Sequence, residues 1–227
     1  MIDFRNDYAQ GAHEQVLGAL AGLAGQGFSG YGEDDLCRAA QERVRRLTGQ
    51  PGAALYFLSG GTQANLTVIA SILRPHQGAV AADTAHIAAH ETGAIEATGH
   101  KVLTLPHRDG KVNPDDIERM VAAHYADDSF EHMVQPGMVY ISNTTELGSI
   151  YTARELEGIS RVCRSRGLPL YLDGARLGYA LASEGNDLTL AKVAALCDAF
   201  TIGLTKQGAL FGEAVVIVNP ALQKDFR

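Results

Sequence analysis

From residue 53 onward, apolar runs of four to six residues alternate with stretches whose apolar residues recur every three or four positions. The runs lie at 53–58, 79–82, 101–105, 137–142, 168–172, 199–202 and 214–218. Between them come Leu66, Ile69, Ala70 and Leu73, then a helical interval near 87–98, then Ile117, Met120 and Val121, then Leu156, Ile159 and Cys163. Run lengths of this kind suit strands, and spacings of three and four suit amphipathic helices. Helix starts are marked as well. Asn113 followed by Pro114 reads as an N-cap and first helical residue, and Thr152 with Glu155 three positions on forms a capping box. Strands alternating with helices over short connections predict an α/β fold: a mostly parallel sheet with helices on both faces. Ahead of this region, Val16, Leu20 and Leu23 fall at helical spacing, and a glycine-rich loop covers 25–32, making residues 1–32 an N-terminal arm. An amphipathic helix is expected over 35–48, with Leu36, Ala40, Val44 and Leu47 on one face, ended near Pro51. Asn219 and Pro220 are expected to begin another helix.

Size and charge narrow the partners. A chain of 227 residues is long enough to bury a substantial core. A formal charge of −7 with no basic stripe argues against nucleic acid, and no apolar run reaches membrane-span length. The N-terminus lacks a basic flank followed by an apolar core, so no secretory signal is read there. Cys37, Cys163 and Cys197 have neither metal nor redox spacing, and their odd number argues against a disulfide framework. A reducing cytoplasm and small-molecule ligands fit these features.

Two strands end on reactive groups. The run 168–172 leads directly into Asp173, and the run 199–202 leads into a glycine-flanked loop carrying Lys206. Ligands of open α/β sheets bind outside the carboxyl ends of the strands, so both side chains are expected at one crevice. A carboxylate able to pair with a pyridinium nitrogen, and a lysine able to form a Schiff base, are the two groups that pyridoxal 5′-phosphate requires. Gly60, Gly61, Thr62 and Gln63 lie between a strand and a helix, where free backbone N–H groups and the helix dipole favour an anion. Neither a Walker A sequence nor a dinucleotide fingerprint is present.

In its wording, the stretch from Leu172 to Leu177 followed by Thr205, Lys206, Gly208, Ala209 and the run Phe211 to Glu213 resembles the L-threonine aldolase and β-eliminating lyase branch of the fold type I pyridoxal-phosphate enzymes. The resemblance implies that Gly61, Thr62 and Gln63 bind the cofactor phosphate, with Thr205 adding a hydroxyl. It implies that His86 stacks on the pyridine ring, Asp173 meets the ring nitrogen, Lys206 binds the cofactor covalently, and Arg176 takes the substrate carboxylate. Rival readings remain at two of these. His86 and His90 have the i, i+4 spacing of a metal pair, although Ile87 stands where a zinc protease carries glutamate. Arg176 could instead pair with Asp173. By resemblance alone, Asn6 contacts the substrate carboxylate and His132 lies near the substrate hydroxyl.

The implied reaction is cleavage of threonine or allo-threonine to glycine and an aldehyde. The alternatives are β-elimination and a non-catalytic remnant of the fold. The run from Asn143 to Glu146 departs from the more usual Asn-Thr-His-Asn, and this bears on substrate choice. The family continues into a C-terminal small domain that supplies a second arginine, so a fragment is expected here. Its members are expected to be homodimers or homotetramers.

Overall fold

The computed structural model describes residues 5–227. Its centre is a seven-stranded sheet of β1 (Ala54–Leu58), β2 (Gln77–Ala82), β3 (Val102–Leu105), β4 (Gln135–Ser142), β5 (Leu170–Asp173), β6 (Ala199–Gly203) and β7 (Glu213–Ile217). They lie in the order β1-β7-β6-β5-β4-β2-β3. β7 runs antiparallel to both of its neighbours and the other pairings are parallel. The expected mostly parallel sheet is present, with β7 as its reversed member.

Register sets which side chains share a face. Tyr140 pairs with Tyr171 and Ser142 with Asp173, while Gly203 and Leu58 both pair with Glu213. Side chains alternate along a strand. Tyr140, Tyr171 and Asp173 therefore point to one face, toward the helix α3 (Gly61–Ile72). The layer on this face also holds α5 (Ala94–Ala97), which packs on α3. A second layer is built from α2 (Asp35–Thr48), α9 (Leu190–Leu196), α7 (Ala153–Arg166) and α6 (Pro114–Ala126), each packed on the next. Strands covered on both faces read as unbroken apolar runs rather than alternating ones. That is what β4 and β5 show: Tyr140, Met138, Leu170 and Leu172 are all fully buried. Each such side chain contributes about 1.5–3 kcal/mol of burial free energy.

The local signals act where they were read. The side chain of Asn113 accepts from Asp115 N at the start of α6, and Thr152 and Glu155 form the reciprocal capping box of α7. Gly49 and Gly167 take the left-handed conformation that ends α2 and α7. Two expectations need correction. The interval 87–98 is not one helix but two short ones, α4 (His86–Ala89) and α5, broken where Thr92 and Gly93 adopt positive φ. After Asn219 the chain makes a single 3-10 turn, Pro220–Leu222. α1 (Glu14–Gly22) forms in the arm, yet it buries no residue, and Leu17 and Leu20 stay exposed. Beside the site, α8 (Leu177–Ala182) follows β5 after the three residues Gly174 to Arg176.

Candidate active site

A cavity of about 320 Å³ opens at the carboxyl ends of β1, β4, β5 and β6. That volume falls at the lower end of the ~300–1,000 Å³ usual for small-molecule sites. Asp173 and Lys206 both line it, the first as the last residue of β5 and the second in the loop between β6 and β7.

Asp173 is 6% exposed and closely held. Its Oδ1 accepts from Ala175 N at 2.9 Å, and its Oδ2 accepts from Tyr140 Oη at 2.7 Å and Asn65 Nδ2 at 2.9 Å. Tyr171 Oη donates to Asn65 Oδ1 at 2.8 Å, which fixes the amide so that its nitrogen faces the acids. The same nitrogen donates to Glu91 Oε1 at 2.6 Å. Glu91 Oε1 in turn lies 2.8 Å from His86 Nδ1. One buried chain of hydrogen bonds thus runs from Asp173 through Asn65 and Glu91 to His86. Hydrogen bonding to Glu91 raises the pKa of His86, and burial opposes the shift. Burial, followed by the charge of Asp173, drives the Tyr140 phenol far above its ordinary range, so it remains a donor.

The helix start at α3 has its own consequence. Its N-cap is Gly60, which offers no side-chain cap, so the first N–H groups of the helix meet the cavity at Gly60, Gly61 and Thr62. Gln63 does not line the cavity. Its Oε1 accepts from Ser59 N at 2.9 Å and Ser59 Oγ at 2.7 Å, so the side chain turns back to brace the preceding loop. Thr205 lines the cavity, but its Oγ1 accepts from Gly212 N at 2.9 Å and so closes the Lys206 loop. Gln207 braces that loop from below, donating to Gly203 O at 2.6 Å.

Arg176 also lines the cavity and is ion-paired, though not with Asp173. Both carboxylate oxygens of Asp7, in the N-terminal arm, receive its guanidinium. Burial pushes the Asp7 carboxyl up, but the hydrogen bond and charge of Arg176 outweigh this and leave its pKa lowered. Asn6 does not line the cavity, and its exposed side chain accepts from Tyr8 N at 3.4 Å. His132 does not line this cavity. It is exposed in the 3-10 turn Phe130–His132, ahead of the first residue of β4, whereas the cavity lies beyond the last. Eight strand residues at roughly 3.3 Å each separate those two ends. The rings of His86 and His90 lie 6.0 Å apart, centroid to centroid.

Five further residues at the site have no role assigned by the sequence: Asn65, Glu91, Asp7, Glu146 and Glu213. Glu146 Oε1 accepts from His86 N at 3.0 Å and Ser142 Oγ at 2.7 Å. Asn65 sits three and four positions before the buried Val68 and Ile69, so a polar residue on the apolar stripe was the available clue. Glu213 is 3% exposed at the head of β7, and its Oε2 has no hydrogen-bond partner. Burial, then the charge of Asp173, raises its pKa to about 8, against the opposing charge of Lys206.

These residues fit pyridoxal phosphate: a helix start uncapped by any side chain, a held carboxylate, a half-buried imidazole and a lysine, all around one cavity. The fold is that of the type I pyridoxal-phosphate enzymes. A solved aminotransferase from Escherichia coli shares it at a TM-score of 0.75, with 15% identity, over 96% of this chain and 54% of its own. Within that class the chain belongs to the beta-eliminating lyase family, whose profile matches residues 3–225. A solved threonine aldolase from Leishmania major is 50% identical with a TM-score of 0.93, covering 98% of this chain and 64% of that one. Low specificity L-threonine aldolases from Pseudomonas sp. (strain NCIMB 10558) and Pseudomonas aeruginosa are 34% and 31% identical, over 86% and 98% of this chain. The chain spans 56% and 64% of the length of those two relatives.

Proposed function

We propose that this chain carries the cofactor-binding part of a pyridoxal-phosphate-dependent lyase that cleaves a β-hydroxy-α-amino acid, threonine or allo-threonine, to glycine and an aldehyde. The observation that carries the reading is the single cavity shared by Asp173, Lys206 and a His86 anchored through Glu91. Gly61 and Thr62 at the start of α3, Asp173, His86 and Lys206 would hold the cofactor, which when bound supplies a ring able to accept the electron pair left at Cα. Arg176 would bind the substrate carboxylate through its planar fork, displacing Asp7. Glu91 occupies Nδ1 of His86, leaving Nε2 as the nitrogen free to take the proton of the β-hydroxyl. Glu146 keeps that ring in place by accepting the backbone N–H of His86.

The same reading includes a free amino acid as partner, a homodimer or homotetramer, and the cytoplasm as location. The uncovered Leu17 and Leu20 of α1 support association between copies. Among the described residues no helix is long and apolar enough to cross a membrane. Incubation with L-allo-threonine tests the activity. Acetaldehyde and glycine in equal amounts are expected, abolished by Lys206→Ala. Ammonia and a keto acid instead would assign the site to β-elimination, the reaction for which the family is named.

A further inference from the structure

Glu213 is an ionisable side chain of the cavity wall that takes no part in holding Asp173, His86 or Arg176. Register places it beside Gly203 and Leu58, on the face that carries Asp173 and α3. Its Oε1 lies 3.9 Å from where a Cβ on Gly61 would stand, alongside the uncapped helix start. Its Oε2 is buried and unpartnered, in a side chain that lines the cavity. An ionised carboxylate there would compete with a bound anion, whereas a protonated one would present an O–H to it.

We propose that Glu213 is the proton-holding member of the anion cradle at the start of α3: uncharged, it donates a hydrogen bond to a phosphate monoester seated there, and its ionisation expels that ester. The inference rests on the cofactor reading above. The groups around Glu213 favour the neutral form on balance. Asp173 and Tyr171 face it from β5, and Lys206 faces it from the loop after β6. β1 places Tyr56 two residues from its partner Leu58, and α3 contributes no ionisable residue between Gly61 and Ile72. A carboxyl that ionises near 8 is mostly protonated at neutrality, so binding needs no proton there. Above that value one proton must enter from solvent for each ester bound.

The test uses the full chain, freed of cofactor, and pyridoxine 5′-phosphate, which bears the phosphate but no aldehyde to react with Lys206. Calorimetry in buffers of different ionisation enthalpy counts protons directly. The wild-type chain is expected to take up about nine-tenths of a proton at about pH 9 and about one-tenth at about pH 7, with affinity falling about tenfold per pH unit above the transition. Glu213→Gln keeps a donor without the titration, so it should bind at both values with no such uptake. Equal proton counts in the two proteins, or none in the wild type, overturn the proposal while leaving the cofactor reading in place. Pyridoxine binding as tightly as its phosphate in both proteins would instead defeat the cofactor reading, and this proposal with it. If Glu213→Gln does not fold, the wild-type count alone decides.

Discussion

Glu91→Gln removes a charge and almost nothing else, which makes it a sharp probe of the network behind the site. Glu91 is fully buried, with Oε1 bonded to Asn65 and His86 and Oε2 unpartnered. Hydrogen bonds to charged groups contribute about 1.5–3 kcal/mol, and neutral ones about 0.5–1.5 kcal/mol. Weakening two of them costs about 2–3 kcal/mol. Relief of an ion buried with an open lone pair offsets about 1 kcal/mol, and the part-exposure of His86 screens its share. The net loss is about 1–2 kcal/mol near pH 6. Because the folded-state pKa of His86 is raised, protonation favours folding. That stability is complete below the unfolded value of 6.5 and drains away as pH climbs through the folded value. The gap between wild type and variant is therefore widest near about pH 6 and narrows at higher pH. Glu213, which ionises near 8, is present in both proteins and cancels in the difference. The chain has no tryptophan, so urea unfolding at each pH is followed by circular dichroism. A gap that stays constant, or one that grows with pH, would refute the role given to Glu91.

Asp7→Asn should lower the KM for the amino-acid substrate several-fold while kcat stays within about twofold, because it frees Arg176 without touching the reacting atoms. It should change stability by less than about 1 kcal/mol, since the pair is part-exposed. A raised KM would show that Asp7 supports, rather than competes for, carboxylate binding. Gly174→Ala and Gly178→Ala separate two kinds of crowding. A Cβ at either would lie 1.9 Å from its nearest neighbour, but at Gly174 that atom is the backbone oxygen of Thr201, and at Gly178 it is the tip of Gln207. Denaturant melts should show a loss of about 3 kcal/mol or more for Gly174→Ala and of less than about 1 kcal/mol for Gly178→Ala, where helix propensity compensates. Equal losses would contradict the assignment.

The sheet was legible because its inner strands are buried on both faces, and a run such as Leu170 to Leu172 has no other use in a chain of this composition. Asp173 and Lys206 were legible because each follows such a run. The residues that hold them were not. Asn65 and Glu91 are polar groups inside the protein, and their partners lie 108 and 5 positions away, a pairing that no local period reveals. Thr92 and Gly93 break the expected helix and let Glu91 turn inward, a conformation that spacing alone does not show. His132 stands away from this chain's cavity for a directional reason: distance along the chain to Asn143 says nothing about which end of β4 a residue occupies. Gln63 in the first turn of α3 and Thr205 in the Lys206 loop lie beside the expected strand ends, but their side-chain atoms are engaged with Ser59 and Gly212.

Six strands bring their final residues to the rim of the sheet where the cavity opens, and β7 alone brings its first. The segment bearing Lys206 is therefore a bridge with both abutments on the same bank, spanning Gly203 to Glu213 along the wall of the cavity. Glu213 is pinned in the ladder by Leu58 and Gly203 on either side, so a change in the length of that span would carry Lys206 away from a glutamate that stays where it is.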